Sequence, residues 1–436
     1  MGLNETPSGE RVRIGFFGVR NAGKSSLVNA VCGQQVALVS DVAGTTTDPV
    51  RKAMELLPLG PVDIVDTPGI DDVGELGARR VERTRETLRT CNVAVLVTDA
   101  TRALVAAERE LISLFEELGL PFIVVRNKVD LLPGEDTVTS SGSAGVAARG
   151  AADASTPEIV AAPDAASAPD AASAPVSPAR AEVLASARTG AGINELKERI
   201  ASLKMPEPPR LLEGLCAPGD VCVLVTPIDS AAPKGRMILP QQQVMREVLD
   251  NHGIAPLVQP EELKAVLGTL NVRPRIVITD SQAFGRVSRD VPEDIPLTSF
   301  SILFARQRGF LNAAIEAVKA LPTLKDGDKL LICEGCTHHR QCDDIGTVKI
   351  PRWLMQNTGK HFEFEWTSGT GFPDDLTPYS MVIHCGACML NPREVTYRMN
   401  CALDQGIPFI NYGILIAALH GVLERSIRPL GLSVTQ

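Results

Sequence analysis

Three cysteines and two histidines near the C-terminal end of the sequence have the residue types of a metal site. Cys336-Thr-His338 and His384-Cys385-Gly-Ala-Cys388 supply thiolates and imidazoles, which bind zinc and iron–sulfur clusters. The same chain carries the phosphate-binding motif Gly18-Val-Arg-Asn-Ala-Gly23-Lys24-Ser25 near its N-terminus. A nucleotide switch joined to an open thiolate and imidazole site predicts a protein that builds or delivers a metal cofactor.

The phosphate-binding motif lies between an expected strand and an expected helix. The apolar run 14–17 predicts a buried strand before the motif, and the pattern at 27–31 predicts a helix after it. In this context the glycines let backbone N–H groups close around the phosphates, and the helix N-terminus favours negative charge. Lys24 is expected to reach the β- and γ-phosphates, and Ser25 is expected to ligate Mg²⁺.

Three further motifs follow in the order that a GTP site requires. After the apolar run 62–65, Asp66 would hold Mg²⁺ through water and the Gly69 N–H would meet the γ-phosphate. Asn127-Lys128-Val-Asp130 follows the apolar run 122–125, and a carboxylate there selects guanine because it accepts two N–H bonds that adenine cannot both supply. Ser186-Ala187-Arg188 fits the backbone contact to guanine O6.

Residues 18–26 and 41–48 resemble the translation-factor-like GTPases of the tRNA-modification and ribosome-assembly group. The resemblance implies that Thr46 ligates Mg²⁺ and the γ-phosphate. It also implies that Asn21 helps to bind K⁺ where other GTPases insert an arginine finger, and Ile70 replaces the glutamine that orients water in Ras-like enzymes. We therefore expect K⁺-stimulated hydrolysis, with K⁺ held by Asn21, Ser40, Val42 and Thr45.

The expected catalytic residues are Lys24, Thr46, Asp66 and Gly69. The expected GTP-binding residues are Gly18, Asn21, Ala22, Gly23, Lys24, Ser25, Ser26, Thr45, Thr46, Asp66, Gly69, Asn127, Lys128, Asp130, Ser186 and Ala187.

Composition and charge narrow the class of protein. The chain has 436 residues, enough for roughly three domains. Its net charge is -9 and its basic residues form no run, which excludes the electrostatic pattern of a nucleic-acid or anionic-membrane binder. It shows neither a signal peptide nor an apolar stretch of about 18 residues, so a cytoplasmic protein is expected. Cysteines in that compartment stay reduced, which favours metal binding over disulfides.

The pattern along the chain predicts an α/β protein of three domains. Residues 1–204 are expected to form a P-loop GTPase domain. An Ala- and Pro-rich insert at about 134–179 interrupts this domain, and its composition predicts a disordered loop because it has too few large apolar residues to bury a core. Residues 205–280 are expected to form a small α/β dimerisation domain. Residues 281–436 are expected to form a second α/β domain with a parallel sheet.

Two metals fit the cysteines of the last domain. Cys333-x-x-Cys336 and Cys385-x-x-Cys388 could close a tetrahedral zinc site. Alternatively, three cysteines and a weaker fourth ligand could hold an iron–sulfur cluster and leave one iron open for exchange. Each half of the motif follows an expected strand, where open parallel sheets place their ligand sites. Spacing alone leaves both metals open.

The run from Cys336 to Pro351, together with His384-Cys-Gly-Ala-Cys388, resembles the [FeFe]-hydrogenase maturation GTPases over nearly the whole chain except the insert. The resemblance implies a homodimeric GTPase scaffold that holds a [4Fe-4S] cluster, receives a di-iron precursor from two radical-SAM maturases and passes it to apo-hydrogenase. The implied cluster ligands are Cys336, Cys385 and Cys388, with His338 and His384 as candidates for the fourth or exchangeable position. The alternative is an RNA- or ribosome-associated GTPase with a structural zinc, which the acidic balance disfavours.

Overall fold

The computed structural model describes residues 9–33, 50–69, 84–132, 181–203, 209–228, 237–335, 344–369 and 371–434. In these ranges three β-sheets follow one another along the sequence, each with helices packed on it, so the predicted α/β class is confirmed. None of the helices in the described ranges is long and apolar enough to cross a bilayer.

The first sheet has six strands in the order β2-β3-β1-β4-β5-β6, and only the edge strand β2 is antiparallel to its neighbour. One apolar cluster lies under α1 and α4, and a second lies under α2 and α3, so helices cover both faces. Central strands of such sheets are buried on both sides, which explains the continuous apolar run of β4. The elements are β1 Val12–Phe17, α1 Lys24–Cys32, β2 Val50–Leu56, β3 Gly60–Asp66, α2 84–90, β4 Val93–Asp99, α3 Ala106–Glu117, β5 Phe122–Asn127, β6 Ala181–Leu184 and α4 Ile193–Ser202.

The predicted insert falls between β5 and β6, and residues 133–180 lie outside the described ranges. Strands β5 and β6 are neighbours in the sheet and pair in parallel, with Val125 opposite Val183. The chain must therefore return from the end of one strand to the start of the next.

Deleting residues 142–177 is expected to leave folding and nucleotide binding nearly unchanged. Residues 133–141 and 178–180 would remain, and at up to about 3.3 Å per residue they are long enough to recross a six-residue strand. Shortening a polar loop changes its closure entropy by only about 1 kcal/mol. The thermal midpoint and the GTP affinity of the deletion variant should match those of the full chain, and loss of either would show that the insert packs on the domain.

The second sheet has four parallel strands in the order β10-β9-β7-β8. It continues past residue 280, the predicted end of the second domain, because the buried three-residue strand β10 pairs with β9. Helix α8 packs on α5 through Phe300, Leu303 and Phe304. The elements are β7 Cys222–Val225, α5 Leu239–Asp250, β8 Leu257–Val258, α6 Leu263–Thr269, β9 Ile276–Thr279, α7 Phe284–Asp290, β10 Leu297–Ser299 and α8 Phe300–Gln307.

The third sheet is parallel throughout, as predicted, with the order β12-β11-β13-β14. Its core is continuous with that of the second sheet, since one apolar cluster contains Val223 and Val277 as well as Leu331 and Ile383. The elements are α9 Leu311–Val318, β11 Lys329–Glu334, α10 Ile350–Thr358, β12 Glu363–Ser368, β13 Met381–His384, α11 Pro392–Asp404, β14 Phe409–Asn411, α12 Tyr412–Leu419 and α13 Leu423–Ile427. Neighbouring strands β11 and β13 end together, with Cys333 opposite His384 in the register.

The first and third domains meet at the start of α11. Asn391 caps this helix, because its Oδ1 accepts the Glu394 N–H at 2.9 Å. The other end of the same side chain donates from Nδ2 to the Thr90 carbonyl in the first domain. Arg393 adds a bond from Nη2 to the Leu118 carbonyl at 3.2 Å. Both acceptors precede a strand of the first sheet, so the contact lies at the edge opposite the phosphate-binding loop.

Candidate functional site

The phosphate-binding loop joins β1 to α1, and two of its glycines are required by close contacts. Gly18 has φ +147°, and a Cβ there would lie 2.3 Å from the Val97 carbonyl oxygen. Gly23 has φ +88°, and a Cβ there would lie 2.3 Å from Asn127 Nδ2. Gly23 also begins α1 without a side-chain cap, so the first N–H groups of the helix are available to an anion.

Lys24 lies folded over this loop. Its Nζ donates to the Gly18 carbonyl at 3.1 Å and to the Val19 carbonyl at 2.9 Å, and the residue is only 8% exposed. An ammonium held in this way is placed beside the loop that would enclose the phosphates, which is the position its motif predicts.

Ser25 and Asp66 form a candidate Mg²⁺ site next to the loop. Ser25 Oγ donates to Asp66 Oδ2 at 2.6 Å. The second oxygen, Asp66 Oδ1, is buried and has no hydrogen-bond partner within the described part of the chain. Burial raises the pKa of Asp66, and the Ser25 bond and the Lys24 charge oppose that rise. A buried carboxylate oxygen without a partner, beside a hydroxyl, suits a hard divalent cation.

The base-recognition motif is connected to the loop through Asn127. Its Nδ2 donates to the Ala22 carbonyl at 3.0 Å, and its Oδ1 accepts the Ala187 N–H at 3.1 Å. Nearby, Asp130 Oδ1 accepts from Ser186 Oγ at 2.6 Å. The two motifs predicted to contact guanine are therefore in direct contact, although they are far apart in the sequence.

Lys128 adopts a left-handed backbone with φ +68° and is paired with Asp99. Its Nζ lies 2.7 Å from Asp99 Oδ2. Burial opposes ionisation of Asp99, but bonds from Lys128 and Thr101 hold the pKa of this carboxyl at about 2. The pair fixes the start of the base motif at the end of β4.

The remaining predicted nucleotide residues divide into two groups. The first group is described: Asn21 is exposed in the loop with φ +60°, and Ser26 lies on α1. Gly69 follows the strand that ends at Asp66 and packs against the loop, since a Cβ there would lie 2.8 Å from the Arg20 backbone nitrogen. The predicted Mg²⁺ and K⁺ residues Ser40, Val42, Thr45 and Thr46 lie outside the described residues, as does Ile70.

Cys385 and Cys388 lie in a tight loop directly after β13, hereafter the metal loop (residues 385–388). Cys385 Sγ accepts the Gly335 N–H at 3.1 Å and the Ala387 N–H at 3.3 Å. Ala387 is buried in a left-handed conformation with φ +54°, which turns the chain between the two cysteines. Amide bonds to sulfur are a common support of thiolate ligands.

The charge around the metal loop comes from a residue that no sequence motif indicated. Arg308 is 6% exposed and donates from Nη1 to the Leu390 carbonyl at 2.5 Å. Burial raises the pKa of Cys388, and the Arg308 charge opposes that rise. Burial also raises the pKa of Cys385 to about 11 despite its two amide bonds. Metal binding must therefore displace protons from these thiols, with a buried cation nearby to favour the thiolates.

Tyr412 and Glu334, which no sequence motif indicated, lie at the same edge of the sheet as the metal loop. Tyr412 Oη donates to Glu334 Oε1 at 3.4 Å. Gly346 packs against both, since a Cβ there would lie 2.3 Å from Tyr412 Oη and 2.6 Å from Glu334 Oε1. The glycine within the Cys336–Pro351 motif is thus explained by a close approach. Segment 9–10 of the first domain also reaches this region, because a Cβ on Gly9 would lie 2.7 Å from the Cys388 carbonyl oxygen.

The remaining members of the predicted metal set are separated from the metal loop or undescribed. Cys336, His338 and Cys342 lie outside the described residues, and within those residues no group of three metal-ligating side chains comes together. Cys333 is fully buried in the apolar core, where burial raises its pKa to about 12. This position counts against a closed zinc site that would use Cys333.

Three family models match successive parts of the chain. Residues 13–128 match a 50S ribosome-binding GTPase domain. Residues 211–309 match the hydrogen maturase F dimerization domain, and residues 312–429 match the hydrogen maturase F tetramerization domain. The chain belongs to the hydrogen maturase F family of hydrogenase maturation GTPases. The resemblance seen in the Cys336–Pro351 and Cys385–Cys388 motifs is confirmed, and the second family domain ends near 309, in agreement with the position of β10.

Part of the chain is also similar to other GTPases. GTPase Der of Wolinella succinogenes is 39% identical over 132 residues, covering 30% of this chain and 27% of that protein. The tRNA modification GTPase MnmE of Rhodopseudomonas palustris is 30% identical over 289 residues, covering 64% and 53%. The crystal structure of Aquifex aeolicus Era with GDP·AlF4⁻ aligns at 19% identity with a TM-score of 0.32, covering 64% of this chain and 97% of that chain. The chain thus spans from about a quarter to about half of the length of these curated relatives.

Proposed function

We propose that the protein is a GTP-hydrolysing scaffold that binds a [4Fe-4S] cluster and assembles or delivers the di-iron precursor of apo-[FeFe]-hydrogenase. The observation that carries the proposal is the presence, in one chain of this family, of a GTPase nucleotide site and a paired-cysteine metal loop. Neither site alone would distinguish this function from that of an RNA- or ribosome-associated GTPase.

The residues of the first domain support GTP binding and hydrolysis. The Asp130 carboxylate would accept two N–H bonds from guanine. The backbone of the Ser186-Ala187-Arg188 segment would contact guanine O6. Lys24 would leave the loop carbonyls for the phosphate oxygens. Mg²⁺ would be held by Ser25, by Asp66 through water and by the predicted ligand Thr46. GTP bound in this way would have its γ-phosphate beside the Gly69 N–H.

The cysteines of the third domain support the binding of an iron–sulfur cluster, because thiolates are soft ligands. Two sulfurs of the metal loop face amide donors and a buried arginine, which fits a thiolate-bound, negatively charged group. Gly335, whose N–H bonds to Cys385 Sγ, directly precedes the predicted third ligand Cys336 in the sequence. A cluster held by three cysteines would supply one iron that an incoming di-iron unit can approach.

We expect GTP hydrolysis to rise when Na⁺ is replaced by K⁺. Asn21 lies exposed in the phosphate-binding loop, where its side chain can share a monovalent cation with the γ-phosphate, and Ile70 cannot orient water. Added positive charge at that point increases hydrolysis by up to about 10²-fold. Initial rates in matched chloride salts would measure the effect.

The Asn21→Ala variant is the control for this assignment. It should keep its Na⁺ rate and lose the K⁺ response. Equal rates of the wild type in the two salts, or a variant that still responds to K⁺, would contradict the cation site.

Self-association is part of the proposal. The chain carries the family's dimerization and tetramerization domains, at 211–309 and 312–429. We infer at least a homodimer, with radical-SAM maturases and apo-[FeFe]-hydrogenase as transient partners and without nucleic-acid or membrane partners.

Anaerobic purification followed by iron, sulfide and zinc analysis tests the proposed function. Iron and sulfide in equal amounts, near four of each per chain as a [4Fe-4S] cluster requires, are expected, together with activation of apo-hydrogenase after incubation with the two maturases. A stoichiometric zinc without iron, combined with tight RNA or ribosome binding, would instead support the alternative GTPase.

A further inference from the structure

A buried chain of polar contacts leads from helix α11 to the backbone of the metal loop. Arg398 is 1% exposed and donates from Nε and Nη2 to Glu394 Oε1 at 3.1 and 2.7 Å, and from Nη2 to the Gly369 carbonyl at 2.6 Å. Its Nη1 lies 3.3 Å from His384 Nε2. His384 Nδ1 lies 2.9 Å from the Cys385 carbonyl oxygen.

These contacts determine which imidazole nitrogen carries the proton. A guanidinium has only donors, so the Arg398 contact requires a lone pair on Nε2. The neutral ring then carries its proton on Nδ1, which donates to the Cys385 carbonyl. Both ring nitrogens of His384 are therefore occupied by protein partners.

The imidazole and the Cys385 sulfur also lie on different faces of the sheet. Successive side chains of a strand alternate between faces, and the Cys385 N–H still bonds to the Cys333 carbonyl at 2.8 Å, which continues the ladder by one residue. His384 is opposite Cys333 in the register and packs on the Phe409 ring at 5.7 Å. It is 1% exposed.

We propose that His384 is a positioning residue of the metal loop, not a cluster ligand: Glu394 and Arg398 fix its ring, and the ring fixes the Cys385 carbonyl. This inference rests on the proposed function. The peptide that carries this carbonyl leads into the turn at Ala387, so its orientation sets the Ala387 N–H···S bond to Cys385. Of the two candidate histidines, only His338 would then remain for the open iron.

Two isosteric variants separate the roles of the ring nitrogens. In His384→Asn the amide nitrogen replaces Nδ1 and can still donate to the Cys385 carbonyl. In His384→Gln the amide reaches the Nε2 position and keeps only the Arg398 contact. After anaerobic reconstitution, we expect the Asn variant to retain the midpoint potential and EPR spectrum of the wild-type cluster. The Gln variant should shift the potential to more negative values, because weaker N–H···S bonds stabilise the reduced cluster less.

Free imidazole tests ligation directly. If His384 is not a ligand, imidazole should change the EPR spectrum of the reduced cluster equally in the wild type and in both variants. A spectral change confined to the His384 variants would show that removing His384 opened an iron site and would overturn the inference. A Gln variant with wild-type potential and spectrum would also overturn it.

A metal-free measurement keeps this inference separate from the proposed function. The full chain labelled with ¹⁵N-histidine contains 6 histidines, and the signal lost in His384→Asn identifies His384. A proton on Nδ1 is expected, and the double variant Glu394→Gln/Arg398→Met should relax that preference. A proton on Nε2 would overturn the inference whether or not the protein binds a cluster, whereas a wild-type protein without iron would defeat the proposed function alone.

Discussion

Replacing Lys24 with alanine is expected to reduce GTP hydrolysis by at least about 10²-fold, as removal of a preorganised charge at a reacting oxygen does in other enzymes. The ammonium is buried against the Gly18 and Val19 carbonyls, beside the loop that would enclose the phosphates. Since the same charge also contacts the ground-state phosphates, GTP affinity should fall as well. Single-turnover hydrolysis and GTP titration of the variant would measure the two effects separately.

Lys197→Ala is the matched control for Lys24→Ala. It removes the same charge from the same domain, on helix α4 and away from the phosphate-binding loop. This variant should hydrolyse GTP at the wild-type rate. A Lys24→Ala protein with activity within about threefold of the wild type would show that the loop does not bind the phosphates as proposed.

Replacing Cys385 with serine is expected to deplete bound iron at least about 10-fold, which is the smallest effect typical of losing support at a metal site. Serine keeps the size of the side chain but lacks a soft, readily ionised sulfur, and the two N–H groups of Gly335 and Ala387 then face a hydroxyl. Cys336→Ser and Cys388→Ser should behave alike. Iron per chain after anaerobic reconstitution is the measurement.

Two other cysteines of the same domain provide controls. Cys401 lies on α11 and Cys333 lies in the core, and serine at either position should leave the iron content unchanged. If Cys333→Ser lost more iron than folded protein, the result would support a site with four thiolates that includes Cys333. Full iron content in Cys385→Ser would contradict the cluster assignment.

The nucleotide site could be anticipated closely because each of its motifs is short and directly follows a strand. A parallel sheet brings strand ends to one edge, so order along the chain was enough to place Ser25 against Asp66 and Asp130 against Ser186. The parallel third sheet was predictable for the same reason, from its alternating strands and helices.

Other features depend on contacts that no local pattern encodes. β10 has only three residues and runs directly into a helix, so the apolar stretch 297–305 gave no sign of a strand that closes the second sheet. Arg308 reaches the metal loop through tertiary packing. The contacts of His384 with Arg398 and with the Cys385 carbonyl also depend on tertiary packing, because Arg398 lies on a helix that follows the strand.

The Asn391 side chain links the stability of the first domain to that of the third. Its amide oxygen caps helix α11, and its amide nitrogen donates to the Thr90 carbonyl of the first domain. Unfolding of either domain therefore breaks the hydrogen bond between Asn391 and Thr90. A nucleotide at 100 times its dissociation constant adds about 2.7 kcal/mol to the stability of the domain that binds it. Part of that gain would reach the third domain through this amide, so GTP should protect the metal loop against heat and proteases even when no cluster is bound.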